Sequence, residues 1–407
     1  MEAFSASVTG KQVSWTEMPV QEWKSLFRIA RQQQVLPLIY QAVYDCPTIK
    51  HCSEAFEKIG DEAKRQVYEQ AQKTNAFLEL NRKLCAAGVK PLIVKGLVCR
   101  TLYPYPDQRP STDEDILISE DRFEIAHQVM VDNGMQMMDP EQDITKDDEI
   151  SYIRKGTKEY IEIHKHLFPR NCEVYGDLND YFKNVHERAV QETILGETVY
   201  TLGYTDHLFY LICHAFKHFI GPGCGVRMIC DIVFYANAYG SKIDWAQVIN
   251  NCREIHAYKF VAALFQIGTE YFGFDYEKAR CPKAWYTMEV DTTMLLKDML
   301  GGGVLGISEK GRMQSGAITS NAVVASKKGE ETKVSLWKSI FPSWKHMSER
   351  PEYKYVNKYP YLLPIAWISR FVEYGISIIK GKKAKPTKSI QIGLERVALL
   401  REYDIID

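Results

Sequence analysis

Trp23, Phe27, Ala30, Leu38 and Val43 recur at helical spacing over 21–44, which reads as helix, and Pro37 marks a break or kink. A long, mostly polar helical stretch over 53–87 ends where Gly88 suits a C-terminal cap. Pro91–Val94 then reads as a short apolar strand, and Lys95-Gly96 turns the chain into a brief helical piece at 97–103. Tyr103-Pro-Tyr-Pro-Asp107 has the chemistry of a loop, and Asp115–Ile118 is the next strand. Arg122–Asn133 reads as a helix closed by Gly134, and the acidic stretch 139–149 as a mobile loop. Ser151–Arg154 and Glu159–His164 flank Lys155-Gly156-Thr157-Lys158, which reads as a hairpin. This order describes an α/β unit at about 75–170.

Beyond it the period changes. Residues 205–280 are helical throughout, with Thr205 or Asp206 capping the first helix and Asp244 or Ser241 the one carrying Trp245. Residues 301–335, glycine-rich and then polar, read as a flexible loop. Pro360–Ile379 is an apolar helix with Arg370 and Glu373 embedded. Lysines 380, 382, 383, 385 and 388 lead from it to a last short helix at 389–402. The fold class is mixed α+β: a small, mostly antiparallel or mixed sheet flanked by helices, with a helical C-terminal region. The expected divisions are a helical region at 1–74, the α/β core at 75–200, a helical domain at 201–300, the loop at 301–335 and a helical region at 336–407.

The bulk numbers narrow the function little. A chain of 407 residues has room for two or three domains, and 45% hydrophobic with 25% charged residues is ordinary for a globular protein. A formal net charge of −1 gives no global field for a polyanion, so a nucleic acid would need a local patch. Ten cysteines are scattered without a C-x-x-C pair, and the N-terminus lacks a basic start and apolar run. Reduced thiols in a cytoplasmic protein are the expectation, and no apolar stretch has the length of a transmembrane helix.

Candidate chemistry changes the picture at Asp113-Glu-Asp115. Alternation on a strand points Asp113 and Asp115 one way and Ile116 and Ile118 the other. Two adjacent carboxylates repel unless a cation lies between them, and hard Mg²⁺ or Mn²⁺ takes carboxylate oxygen. In Tyr160-Ile-Glu-Ile-His164, Ile161 and Ile163 face the core, so Glu162 projects with Tyr160 and His164 from the opposite face. If the two strands are neighbours, Asp113, Asp115 and Glu162 form one cluster that would hold two ions for attack on a nucleotide α-phosphate.

The run from Val94-Lys-Gly through Tyr103-Pro and Arg109 to Asp113-Glu-Asp-Ile-Leu117 carries a family pattern: K-G, then Y-P, then R, then D-x-D-h-L. It resembles the uncharacterised nucleotidyltransferase family of the DNA polymerase β-like superfamily. The resemblance extends to Leu26–Tyr40, Ile161–His164, His214–His218, Asp231 and Asp244-Trp245, spanning about 15–275. It implies a nucleotidyltransferase-like core that moves a nucleoside monophosphate from an NTP, ATP first, to an unknown hydroxyl acceptor. Nucleic acid is among the possible acceptors. Asp113 and Asp115 would be metal ligands, and Glu162 a third ligand or a base. Lys95, Gly96, Arg109 and Thr112 would receive the nucleotide, with Gly96 in the phosphate-cradling turn. The wider superfamily has a Gly-Ser or Gly-Gly pair where this chain has Gly96-Leu97, so Lys95 and Arg109 are the compensating cations. The alternative is a catalytically degenerate nucleotide- or partner-binding module on the same fold.

Other signals point less sharply. His214 and His218, with His207 two turns back, have zinc-helix spacing, but the residue after His214 is alanine and the general base of a metalloprotease is missing. His164, His214 and His218 therefore read as walls of the nucleotide site, and His166 as structural. The segment 360–388 reads first as a packed helix with a solvated linker. The weaker alternative is contact with an anionic membrane surface.

Overall fold

The structure is a computed structural model that describes residues 1–11, 18–46, 49, 53–304, 306, 308–309, 311–330, 341–348, 351–379 and 386–407. Two compact units emerge: Met1–Ala215 with Val226–Thr292, and Phe216–Gly225 with Thr293–Asp407.

The first unit is built on a seven-stranded mixed sheet. Its strands are β1 (Leu92–Val94), β2 (Glu114–Leu117), β3 (Gln136–Met137), β4 (Glu149–Ile153), β5 (Tyr160–His164), β6 (Val190–Ile194) and β7 (Glu197–Thr201), in the order β3-β4-β5-β2-β1-β7-β6. β2 runs parallel to β5 and antiparallel to β1, while β1 runs parallel to β7. Both faces of β2 are covered, so all four of its residues are buried, and Leu92, Ile93, Val94, Ile116, Ile150 and Ile163 form the centre of the core. The β4–β5 hairpin closes through Gly156 at φ 80°, a left-handed backbone that a side chain would resist.

Helices surround the sheet. Val20–Gln32 and Leu36–Val43 are separate, and Pro37 sits in the first turn of the second, where its missing N–H costs nothing. Ser53–Ala86 packs against Phe123–Asp132 and the short turn Pro106–Gln108. Tyr204–Ile220, Val226–Tyr239, Trp245–Glu254 and Tyr258–Tyr271 follow the sheet. Asp244 caps the third of these, accepting from the Gln247 N–H at 3.0 Å as its sequence position predicts.

In the second unit the expectation of a loop over 301–335 fails. Arg312–Lys327 is a 16-residue helix packed along Pro386–Glu402, itself longer than the short helix expected. Its sequence hides this because the contact is made by small residues. A Cβ on Gly393 would lie 2.6 Å from Ile318 Cδ1, so the two helices approach too closely for a strong apolar stripe to be needed. Buried Arg312 and Arg396 both reach Asp298, at 2.5 and 3.3 Å. The rest of that loop expectation (305, 307, 310 and 331–335) and the lysine linker 380–385 lie outside the described residues.

Candidate metal and nucleotide site

β2 and β5 lie side by side with Asp115 opposite Glu162 and Leu117 opposite His164. Alternation then puts Asp115, Glu162 and His164 on one face, where one ligand atom from each falls within 4.8 Å of the others. Among the described residues this is the group of acidic, histidine or cysteine side chains with metal-ligand proximity. The expected cluster thus gains His164, read from sequence only as a wall. Asp113 stands outside it: half-buried at the lip of β2, its charge still acts on Lys95 and Glu162.

Asp115, 3% exposed, is the hub. Its Oδ1 lies 3.3 Å from His164 Nε2, and its Oδ2 lies 3.0 Å from Lys95 Nζ without a well-directed hydrogen bond. Burial opposes its ionisation, but the Lys95 charge and the His164 contact win, so the carboxyl is held below its usual range. Burial would likewise neutralise Lys95 and His164, yet the carboxylates around them push both pKa values up. Glu162 moves the other way. Burial first, then the charges of Asp115, Glu149 and Asp113, raise it to about 7, while the Tyr160 hydroxyl donates to its Oε1 at 2.8 Å. Glu149, on the far side of His164 with Oε2 3.5 Å from Nδ1, carries no signal in the sequence beyond its acidity.

Lys95 is aimed by a backbone few residues adopt, φ 58° and ψ −107°, between β1 and the short helix Gly96–Arg100. His207 holds that turn. Burial drives its pKa down to about 3, so the ring is neutral and Nε2 accepts the Lys95 N–H at 3.2 Å. The other nitrogen then carries the proton and donates to Thr201 Oγ1 at 2.9 Å, which donates in turn to the Ile93 carbonyl at 2.6 Å. His214 accepts from Lys95 Nζ at 3.2 Å. His218 lies in the part of the helix that belongs to the second unit, and neither His214 nor His218 is in the metal-ligand group.

Two of the residues expected to receive phosphates, Gly96 and Arg109, are otherwise engaged. A Cβ on Gly96 would lie 2.1 Å from Glu114 Oε2, the same oxygen that accepts the Leu97 N–H at 2.9 Å. The anion cradled by this turn is therefore the chain's own Glu114, which also pairs with buried Arg100. Arg109 is 3% exposed and makes a two-toothed pair with Asp231, Nε to Oδ1 at 2.7 Å and a terminal nitrogen to Oδ2 at 2.6 Å. Tyr103 adds a hydrogen bond to the same carboxylate at 2.9 Å. Sequence spacing cannot separate such a buried pair from a phosphate-binding arginine, because both want the same fork.

Thr112 stays exposed, on the wall of a groove of about 520 Å³. The groove runs between helix Ser53–Ala86 and the β4–β5 turn, with Lys73, Arg154, Lys155 and Lys158 among its cations. Tyr160 joins groove and cluster, lining the one and donating to Glu162 in the other. Lys73 holds the loop ahead of β2 through the Ser111 and Thr112 carbonyls.

No curated protein and no solved structure shows significant similarity to the chain. The match to a family of nucleotidyltransferases covers residues 19–273, taking in every strand and every residue of the cluster. On the strength of that match over more than half its length, the chain belongs to the uncharacterised nucleotidyltransferase family.

Proposed function

We propose that the first unit transfers a nucleoside monophosphate from an NTP, ATP first, to a hydroxyl acceptor, with Asp115, Glu162 and His164 holding a divalent ion. The observation that carries this reading is the convergence of those three side chains, one ligand atom from each within 4.8 Å of the others, on a buried aspartate whose Oδ2 has no well-directed hydrogen bond. Two carboxylates and an imidazole suit Mg²⁺ or Mn²⁺, with the imidazole favouring Mn²⁺. A bound ion would neutralise charge on the α-phosphate and lower the pKa of the attacking hydroxyl. Deprotonated, Glu162 serves as ligand or accepts the proton of that hydroxyl, a task for which a value of about 7 is well matched. The groove beside Tyr160, with four cationic side chains against Glu69 and Glu159, would receive an anionic substrate.

The expectation of two ions meets an obstacle in Lys95. Its ammonium already stands 3.0 Å from Asp115 Oδ2, so we read the site as taking one ion, with Lys95 supplying the second positive charge. Manganese titration followed by electron paramagnetic resonance distinguishes the two, since one bound ion per chain fits this reading and two do not.

Transfer of label from α-labelled ATP, with Mg²⁺ or Mn²⁺ and a panel of protein, RNA and small-molecule acceptors, tests the activity. Label transfer should disappear in Asp115→Asn, and transfer surviving that change at the wild-type rate rules out the reading. One observation favours the alternative of a degenerate binding module: the glycine turn is filled by Glu114. Saturable ATP binding without transfer to any acceptor would select it.

A further inference from the structure

In the second unit, helix Leu363–Ile379 is built inside out. Ala366 is buried with Met347, Tyr353 and Val356, and Leu363 and Trp367 pack against this small cluster. The inward side also carries polar contacts: Tyr353 donates to Glu373 at 3.1 Å, and Trp367 Nε1 donates to the Pro342 carbonyl at 2.9 Å. The outward side is aliphatic. Ile365, Ile368, Val372 and Ile376 are 57%, 61%, 56% and 46% exposed. At 100° per residue they fall within about 80° of arc, a stripe three turns long with no charge on it. Tyr361, 74% exposed, extends the stripe at its start. Single exposed aliphatics need no explanation, but an aligned row of four marks a surface that something covers.

Charge selects what covers it. From Tyr353 to Lys388 the sequence has seven lysines and one arginine against one acid, Glu373, in a chain of formal net charge −1. In sequence the lysines flank the helix on both sides: Lys354 and Lys358 before it, and Lys380, Lys382, Lys383 and Lys385 after it, while Lys388 is paired with Glu309 at 3.0 Å. A second copy laid along the stripe, parallel or antiparallel, would set lysine against lysine. An anionic bilayer meets both features at once. Its acyl boundary takes the aliphatic stripe, its headgroups take the lysines, and Tyr355, Tyr359 and Tyr361 have the amphipathic rings that settle at that depth. No helix among the described residues is long and apolar enough to cross a membrane, so the helix would lie in the surface plane.

We infer that helix Leu363–Ile379 docks the protein on an anionic lipid surface. Flotation of the full chain with vesicles of phosphatidylcholine plus phosphatidylserine, and with phosphatidylcholine alone, tests it. The chain should float with the anionic vesicles at low salt and be released as salt rises. Ile368→Asp with Val372→Asp should abolish flotation while leaving the melting temperature unchanged, since both side chains already face water. Exchange of Lys380, Lys382, Lys383 and Lys385 for Gln should weaken binding by about fivefold per lysine. Failure to float overturns the inference, as does equal flotation with both vesicle types at every salt concentration. A concentration-dependent dimer that the double aspartate variant dissolves, without vesicle binding, assigns the stripe to self-association instead.

Discussion

Glu114 and Asp115 are neighbours on β2, both almost fully buried and both acidic, yet they face opposite sides of the sheet and meet opposite fates. Glu114 sits in a closed network. One oxygen pairs with Arg100, whose other terminal nitrogen donates to Thr74 at 2.9 Å, and the other takes the Leu97 N–H at 2.9 Å. Asp115 sits in an open one, among His164, Lys95 and Glu162, with Oδ2 lacking a well-directed hydrogen bond. The difference teaches what separates a structural acid from a candidate ligand. A buried charge that is fully paired holds the fold, and a buried charge with an unused lone pair is available to a ligand.

The sharpest way to break the contrast is to neutralise each acid in turn. Asp115→Asn should cost about 100-fold or more in nucleotidyl transfer, measured with α-labelled ATP, and should remove tight Mn²⁺ binding. Glu114→Gln leaves Arg100 buried without its counter-charge and should cost about 3–5 kcal/mol of stability, read by urea unfolding. A Glu114 variant as stable as the wild type would dissolve the distinction. Next comes Gly96→Ala, which drives a methyl group into the Glu114 carboxylate and should destabilise by about 1–3 kcal/mol without touching the Asp115 face.

A further test is in pH. Glu162 has its folded value raised to about 7 from an ordinary 4.5, so between these the folded chain binds more protons than the unfolded one. The stability it contributes is present below 4.5 and lost as pH rises through 7. The metal-free protein should therefore melt progressively lower across that window relative to Glu162→Gln, and Mn²⁺ affinity should rise over the same range. Parallel melting curves for the two proteins would contradict the assignment.

Much of the core was legible in the sequence because it is locally written. Strand alternation at Tyr160–His164 and the glycine hairpin gave Glu162 its face, and the family pattern pointed to β2. What stayed hidden was set by register and depth. That Asp115 rather than Asp113 is the hub follows from β2 pairing with β5 from Glu114 onward, which no local pattern dictates. Arg109 has the residue type and spacing of a phosphate ligand, and only its burial against Asp231 reassigns it. The β6–β7 hairpin went unread, although Leu195-Gly196 between alternating segments, both with positive φ, is a two-residue turn signal. Helix Leu363–Ile379 was legible as a helix but not as an inverted one, because composition says how apolar a segment is and not which side its neighbours take.

The backbone at Lys95 has a consequence for how this site tolerates change. A left-handed lysine stores about 1–3 kcal/mol of strain, and the His207–Thr201–Ile93 relay keeps it in place by spanning the parallel β1–β7 pair. Glycine at this position would relax the turn, but it would delete the ammonium that faces Asp115 and leave that buried carboxylate without its counter-charge. Backbone strain and buried charge are therefore set against each other at a single residue, and the ion pair with Asp115 is what makes the strained turn worth keeping.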